Sequence, residues 1–262
     1  MAWLAVQLLG SALMIAAGVA TFRRSRPAAT VLVGVMLGLI LLKAAVNHIP
    51  AAEPRLFPWD WYPFVEFWWY LFPAMFIFGV GIILVRRSVW KRDLLLAGGG
   101  FLLLYCGVAA VAVEQPKNLL GVVNDDGICL QTTGYSCAPA AAATLLHQYG
   151  VAATEDEMAA LCATRGGGVR TAGTSDAGTL RGLRHKLGDR GTPVISTPSY
   201  DEIPVPALVA IRLNPQVSHC VMVSKVEPDQ VRVIDPLFGR GTILRAQFER
   251  MWQKSAIHVE TR

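Results

Sequence analysis

The feature that most constrains this chain is a set of four long apolar stretches confined to its first 115 residues. They run over about 2–21 (AWLAVQLLGSALMIAAGVAT), 28–47 (AATVLVGVMLGLILLKAAVN), 64–85 (FVEFWWYLFPAMFIFGVGIILV) and 94–113 (LLLAGGGFLLLYCGVAAVAV). A helix needs ~20 residues to cross the hydrocarbon core, and inside lipid a helix satisfies all of its own backbone hydrogen bonds. Residues 1–115 are therefore expected to form an all-α membrane domain of four transmembrane helices embedded in a lipid bilayer. Charged residues make up 16% of the chain, against about 25% in soluble domains, and most of them lie beyond residue 115. Residues 116–262 read as one soluble domain of ordinary size.

The short loops orient the spans. Arg23, Arg24 and Arg26 separate spans one and two, and Arg86, Arg87, Lys91 and Arg92 separate three and four; the opposite side carries only Arg55 and Lys117. Basic short loops stay in the cytoplasm, so the bias of seven against two places the soluble domain on the extracytoplasmic face of a multi-pass cell-membrane protein. The first apolar run has its basic residues after it, not before it, and so does not read as a cleavable signal. Trp59, Trp61, Tyr62, Trp68, Trp69 and Tyr70 open the third span as an aromatic belt would. The net charge of +5 is largely this loop charge, a topology signal and no indication of nucleic-acid binding.

In the soluble half, helices are expected at 137–149, 155–163 and 176–187, the second opened by a Thr154/Glu157 capping box. Short β-type runs follow at 193–197, 207–213, 219–226 and 231–236, with EPDQ between the last two as a hairpin turn. Helices first and strands later indicate an α+β domain with an antiparallel sheet.

Within it, QTTGYSCAPAAAATLLHQYG (131–150) puts Cys137 at the first turn of an Ala-rich helix. The unpaired N–H groups and positive dipole end there favour thiolate, the attacking form of cysteine. His219 heads the strand HCVMVSKV and Asp235 ends the next one, VRVID, so a hairpin brings them together near its open end. A nucleophile on a helix N-terminus, a base on a strand and a carboxylate on its neighbour are the parts covalent acyl chemistry requires. Gln131, six residues ahead of the thiol, can offer an amide N–H to the same oxyanion as the Cys137 backbone N–H.

At these residues the chain resembles the double-glycine, bacteriocin-processing cysteine peptidases: QTTGYSCAPAAAATLLHQYG, GTS at 173–175, SHCVMV at 218–223, IDPLFG at 234–239 and FERMW at 248–252 keep the order Gln, Cys, His, Asp. The resemblance covers about residues 127–255 and implies a papain-like fold. It implies Cys137 as nucleophile, His219 as general base then acid, Asp235 as its orienter and Gln131 as oxyanion donor. It also implies a bacterial inner-membrane setting, a leader-peptide substrate cut after Gly-Gly, and work beside a peptide-exporting transporter. Ser136 and Ala138 stand where the family commonly has Asp and Gly, and the peptidase follows membrane helices instead of preceding them.

No G-x-x-x-x-G-K-[ST] phosphate loop occurs, so no ATP site is expected, and neither C-x-x-C nor H-E-x-x-H spacing occurs, so no metal or other cofactor is expected. Two other functions remain open on the sequence. GYSCA (134–138) approximates a serine-hydrolase elbow, with Ser136 as nucleophile and Asp235 and His258 following. A membrane-anchored, non-catalytic peptide receptor is the other. Any disulfide among Cys129, Cys162 and Cys220 is likewise undetermined.

Overall fold

The computed structural model describes residues 2–66, 68–84, 99, 118–166, 172–214 and 217–261. The helices are α1 (Ala2–Arg24), α2 (Arg26–Val46), α3 (Ala52–Leu56), α4 (Tyr62–Val65), α5 (Trp68–Leu84), α6 (Cys137–Gln148), α7 (Glu155–Leu161), α8 (Asp176–Leu187) and α9 (Arg245–Met251). The strands are β1 (Thr192–Ser196), β2 (Ala207–Asn214), β3 (Val217–Val226), β4 (Gln230–Asp235), β5 (Gly239–Leu244) and β6 (Ala256–Glu260). The chain divides into two units, residues 1–48 with 64–112, and residues 49–63 with 113–262.

Val6–Arg24 and Arg26–Val46, both in the first unit, and Tyr62–Leu84, which enters it at residue 64, are stretches long and apolar enough to cross a membrane. The fourth expected span, 94–113, lies outside the described residues apart from Gly99. The Ser25 hydroxyl accepts from Ala28 N at 3.4 Å and opens α2. Gly18 and Gly79 let α1 and α5 touch backbone to backbone: a Cβ on Gly18 would sit 2.4 Å from the Phe76 carbonyl, and one on Gly79 2.3 Å from that of Ile15. Such small-residue contacts are how helices associate where no water drives them together. Leu9, Leu13, Val31, Leu41 and Leu42 stay exposed on the outer faces, a surface suited to lipid. Lys43 is buried and donates to Asn47 Oδ1 at 2.5 Å.

The second unit is built on a six-stranded, wholly antiparallel sheet in the order β1-β6-β2-β3-β4-β5. Both of its faces are covered. On one side, α6, α7 and α8 pack Ala140–Ala143, Leu145, Leu146, Met158 and Leu183 against Leu208, Met222, Ile234 and Ile257. On the other, Phe248 and Trp252 of the α9 region meet Val209, Ile211, Val221, Val223, Val231 and Val233. Strand alternation sorts the two sets: in β3, Cys220 and Met222 face the helices, while Val221 and Val223 face α9. Helix α6 is buried continuously from Ala138 to Leu146, and its alanines let it lie close to the sheet.

The expected helices and the four expected strands form within a few residues of their sequence bounds. Two strands, β5 and β6, come in addition. The capping box forms by half: Thr154 Oγ1 accepts from Glu157 N at 3.2 Å, whereas the Glu157 carboxylate pairs with Lys186 at 2.7 Å. The second unit also takes in residues 49–63, which a linear division at 115/116 assigns to the membrane half. Tyr62, read from sequence as part of an interfacial belt, is fully buried and donates to Glu53 Oε1 at 2.7 Å.

Candidate active site

Cys137 is the first residue of α6, which packs against β3, and it shares a cleft with Val217, Ser218 and His219 at the start of that strand. The first N–H groups of a helix have no intrahelical acceptor, so the thiol stands beside the positive end of α6. Ser136, the N-cap, does not cap with its side chain. It is fully buried and shares its hydroxyl with Thr133: 2.7 Å to Oγ1 and 3.2 Å to both the backbone N and O. No histidine is among these partners, and Ser136 does not reach the cleft. The serine-elbow reading thus lacks a base, and its other member, His258, lies on β6 with its ring against Glu260 at 4.0 Å.

His219 projects from β3, 5% exposed, and its Nε2 donates to Asp235 Oδ1 at 2.8 Å. The same oxygen accepts from Leu237 N at 2.7 Å, which fixes the carboxylate at the end of β4. An ionised carboxylate only accepts, so Asp235 sets the tautomer and leaves Nδ1 for the thiol. Burial works against the imidazolium, but hydrogen bonding with Asp235 and with Cys137, together with their charges, outweighs it and raises His219 to about 9. Burial likewise opposes the Asp235 carboxylate, and the His219 and Leu237 hydrogen bonds overcome it, so its pKa is lowered. The pair therefore favours an imidazolium held between a sulfur and a carboxylate.

Cys137 and His219 line one cleft of about 450 Å³, with Tyr135, Ala138, Gly173, Thr174, Asp176, Thr179 and Ser218 among its walls. The remaining described cysteines of this unit are free thiols as well. Burial pushes Cys129 and Cys162 up to about 12, and burial with the neighbouring Cys137 and Asp176 raises Cys220. Thiolate character is thereby disfavoured at all three. Asp176, in the cleft wall, is pushed up to about 6 by burial and by the charge of Glu53.

Gln131 is placed differently from the sequence expectation. Its Nε2 donates to the Thr133 carbonyl at 2.6 Å, and it is not among the residues that line the cleft. Its backbone N–H donates to Pro236 O at 2.8 Å, tying this segment to the turn after Asp235. Sequence reasoning also passed over Glu155. This fully buried carboxylate accepts from Gly121 N at 3.0 Å, Thr132 N at 2.8 Å and Thr132 Oγ1 at 2.7 Å, and so fixes the residue next to Gln131. Only the Thr154 cap hinted at a carboxylate there, as one of three acidic residues in the first turn of α7.

Residues 126–262 match the peptidase C39 family. The chain belongs to that family. The C39 assignment carries a papain-like fold, and the α+β architecture with its antiparallel sheet agrees with it. Among similar proteins, an uncharacterized protein of Methanothermobacter thermautotrophicus is 30% identical over 138 residues, spanning 53% of this chain and 91% of that one. A second, from Methanothermobacter marburgensis, is 30% identical over 153 residues, spanning 56% and 96%. Among solved structures, the peptidase domain of Streptococcus ComA, a bi-functional ABC transporter, is 18% identical with a TM-score of 0.44, covering 51% of this chain and 96% of that one. A double glycine motif protease from an AMS/PCAT transporter, solved with its leader peptide, is 16% identical with a TM-score of 0.44, covering 57% and 99%.

Proposed function

We propose that this C39 chain is a membrane-anchored cysteine endopeptidase that hydrolyses a peptide bond through a thioester at Cys137. The observation that carries the reading is the His219–Asp235 pair at 2.8 Å in the same cleft as a thiol on a helix N-terminus. The Cys137 sulfur attacks the scissile carbonyl carbon, and the C=O electron pair moves onto oxygen. His219 Nδ1 then gives its proton to the leaving amine as the C–N bond breaks. In the second half, water loses a proton to the same nitrogen, attacks the thioester carbon and releases the thiolate. Asp235 holds the ring throughout and stabilises its cationic form.

The oxyanion falls to the Cys137 backbone N–H and to Gln131. The Gln131 amide bonds Thr133 outside the cleft; turned from that carbonyl toward the cleft, it is the second donor we assign to the reaction. Small residues at the cleft, Gly134, Ala138, Ala172 and Gly173, let a peptide backbone lie close to the wall, an approach that a glycine pair makes most easily. This supports a leader peptide ending in Gly-Gly, the motif named for one similar protease. Four transmembrane helices at 1–115 and a peptidase domain at 116–262 would place the cleft at the extracytoplasmic face of the cell membrane, where a separate peptide-exporting transporter delivers the substrate.

The test is a comparison, by mass spectrometry, of peptides secreted by cells carrying the wild-type chain or Cys137→Ala. Retained leaders in the variant support the proposal, and identical peptides in both overturn it. Alkaline phosphatase fused after residue 262 tests sidedness: activity supports the extracytoplasmic placement, and its absence reverses it.

A further inference from the structure

The segment joining the second and third apolar helices does more than connect them. Residues 49–63 belong to the peptidase unit, and their side chains build a structure of their own. Pro54 and Tyr62 are buried, Phe57 stacks on Tyr62 with centroids 4.6 Å apart, and Tyr62 bonds Glu53 at 2.7 Å. Pro54, Phe57, Pro58 and Trp59 lie along Ala177, Leu180, Arg181 and Arg184 of α8, with which they line one shallow pocket, and α3 packs against α8.

Three polar ties surround this contact. Asp60 pairs with Arg184 at 2.7 Å and lies 3.5 Å from His185; Arg55 donates to Ile195 O on β1 at 3.4 Å; Arg165 donates to Pro63 O at 2.7 Å. The Asp60 pair is half exposed and contributes little by itself; the apolar contact and the backbone carbonyl ties do most of the holding.

Two of these connections, through α8 and through Arg165, lead to the catalytic cleft. On α8, Ala177, Leu180, Arg181 and Arg184 form the stripe facing residues 49–63, while Asp176 and Thr179, on the adjacent stripe, line the cleft with Thr174. Arg165 exchanges backbone hydrogen bonds with Gly173, 2.9 and 2.8 Å, and Gly173 is itself a cleft residue. Neither route passes through Cys137, His219 or Asp235.

We infer that residues 49–63 act as a positioning strap that holds the cleft wall of residues 172–179 in place for the peptide substrate. The effect on substrate rests on the peptidase reading above; the docking of the strap does not.

The full-length chain in lipid nanodiscs is assayed with a peptidyl Gly-Gly-aminocoumarin, and Cys137 reactivity is followed separately with iodoacetamide. In Trp59→Ala/Asp60→Ala and in Arg165→Ala, KM rises on the order of tenfold, while kcat and the alkylation rate stay within about twofold. An unchanged KM overturns the inference, as does a parallel fall in kcat and alkylation, which marks a merely structural role. Docking is read in intact membranes by joining Asp60→Cys to Arg184→Cys with a short bismaleimide in a Cys137→Ala background. A mapped cross-link supports the strap, and its absence overturns it. A wild-type chain inert to the peptide sinks the peptidase reading instead, and the strap then stands or falls on the cross-link.

Discussion

Replacing Asp235 by Asn removes the charge that His219 leans on while keeping the shape of the side chain. From its ordinary 6.5 to about 9, the His219 imidazolium gains roughly 3 kcal/mol at 1.36 kcal/mol per pH unit. Asp235 and Cys137 share this gain, net of the opposing burial. Asp235→Asn takes away the carboxylate's hydrogen bond and charge, and so moves the His219 value down from about 9 toward 6.5. The assay is an NMR titration of the His219 ring, which needs no known substrate. The ring's chemical shifts report its protonation directly, so the profile has a step where His219 loses its proton. That step lies near 9 in the wild type and moves to lower pH in Asp235→Asn. A step that stays put, or moves upward, refutes the claim that the carboxylate stabilises the charged ring.

Other outcomes follow from the same coordinates. The raised His219 value also bears on stability: the folded state holds the proton more tightly than the unfolded chain, so the contribution is full below about 6.5 and lost as pH rises through about 9. The Tm of the wild type therefore falls over that window by more than that of His219→Gln, as differential scanning calorimetry would register. Glu155→Ala leaves Gly121 N, Thr132 N and Thr132 Oγ1 without their acceptor. It costs about 2–4 kcal/mol, read as a Tm lower by several degrees. Ser136→Ala retains Cys137 alkylation within about threefold, because its hydroxyl serves Thr133 and not the cleft; loss of peptidase activity in this variant but not in Cys137→Ala would revive the serine reading. Gly178→Ala brings a Cβ to 2.2 Å from Cys162 O, forcing α8 outward at a cost of about 1–3 kcal/mol, measurable by urea unfolding.

Much of the domain is legible in the sequence because its signals are local. Cys137 announces itself through the alanine run behind it, since a helix buried along Ala138–Leu146 needs small side chains to approach the sheet. His219 and Asp235 are legible together because EPDQ closes a hairpin, and the register Met222↔Ile234 then sets their separation. What stayed hidden depends on contacts far apart in the chain. β6 (AIHVE) slips between β1 and β2, a partnership that five residues cannot announce, and GRGTIL in β5 carries two glycines that read as a loop. Glu155 looks like any acidic residue in a first helical turn until its oxygens meet Thr132, 23 residues earlier. Tyr62 reads as part of an interfacial belt because hydropathy cannot distinguish a ring facing headgroups from one buried against Phe57.

The central claim is that Cys137, activated by His219 and Asp235, forms the acyl-enzyme. The most direct measurement is rapid acid quenching of the full-length chain with a Gly-Gly peptide thioester or ester, followed by peptic mapping of the acyl adduct by mass spectrometry. The account predicts one adduct, on the sulfur of Cys137, which accumulates in the wild type, is lost in Cys137→Ala and forms far more slowly in His219→Ala. An adduct on Ser136 or Cys220, or acylation of Cys137 at the same rate without His219, would contradict it.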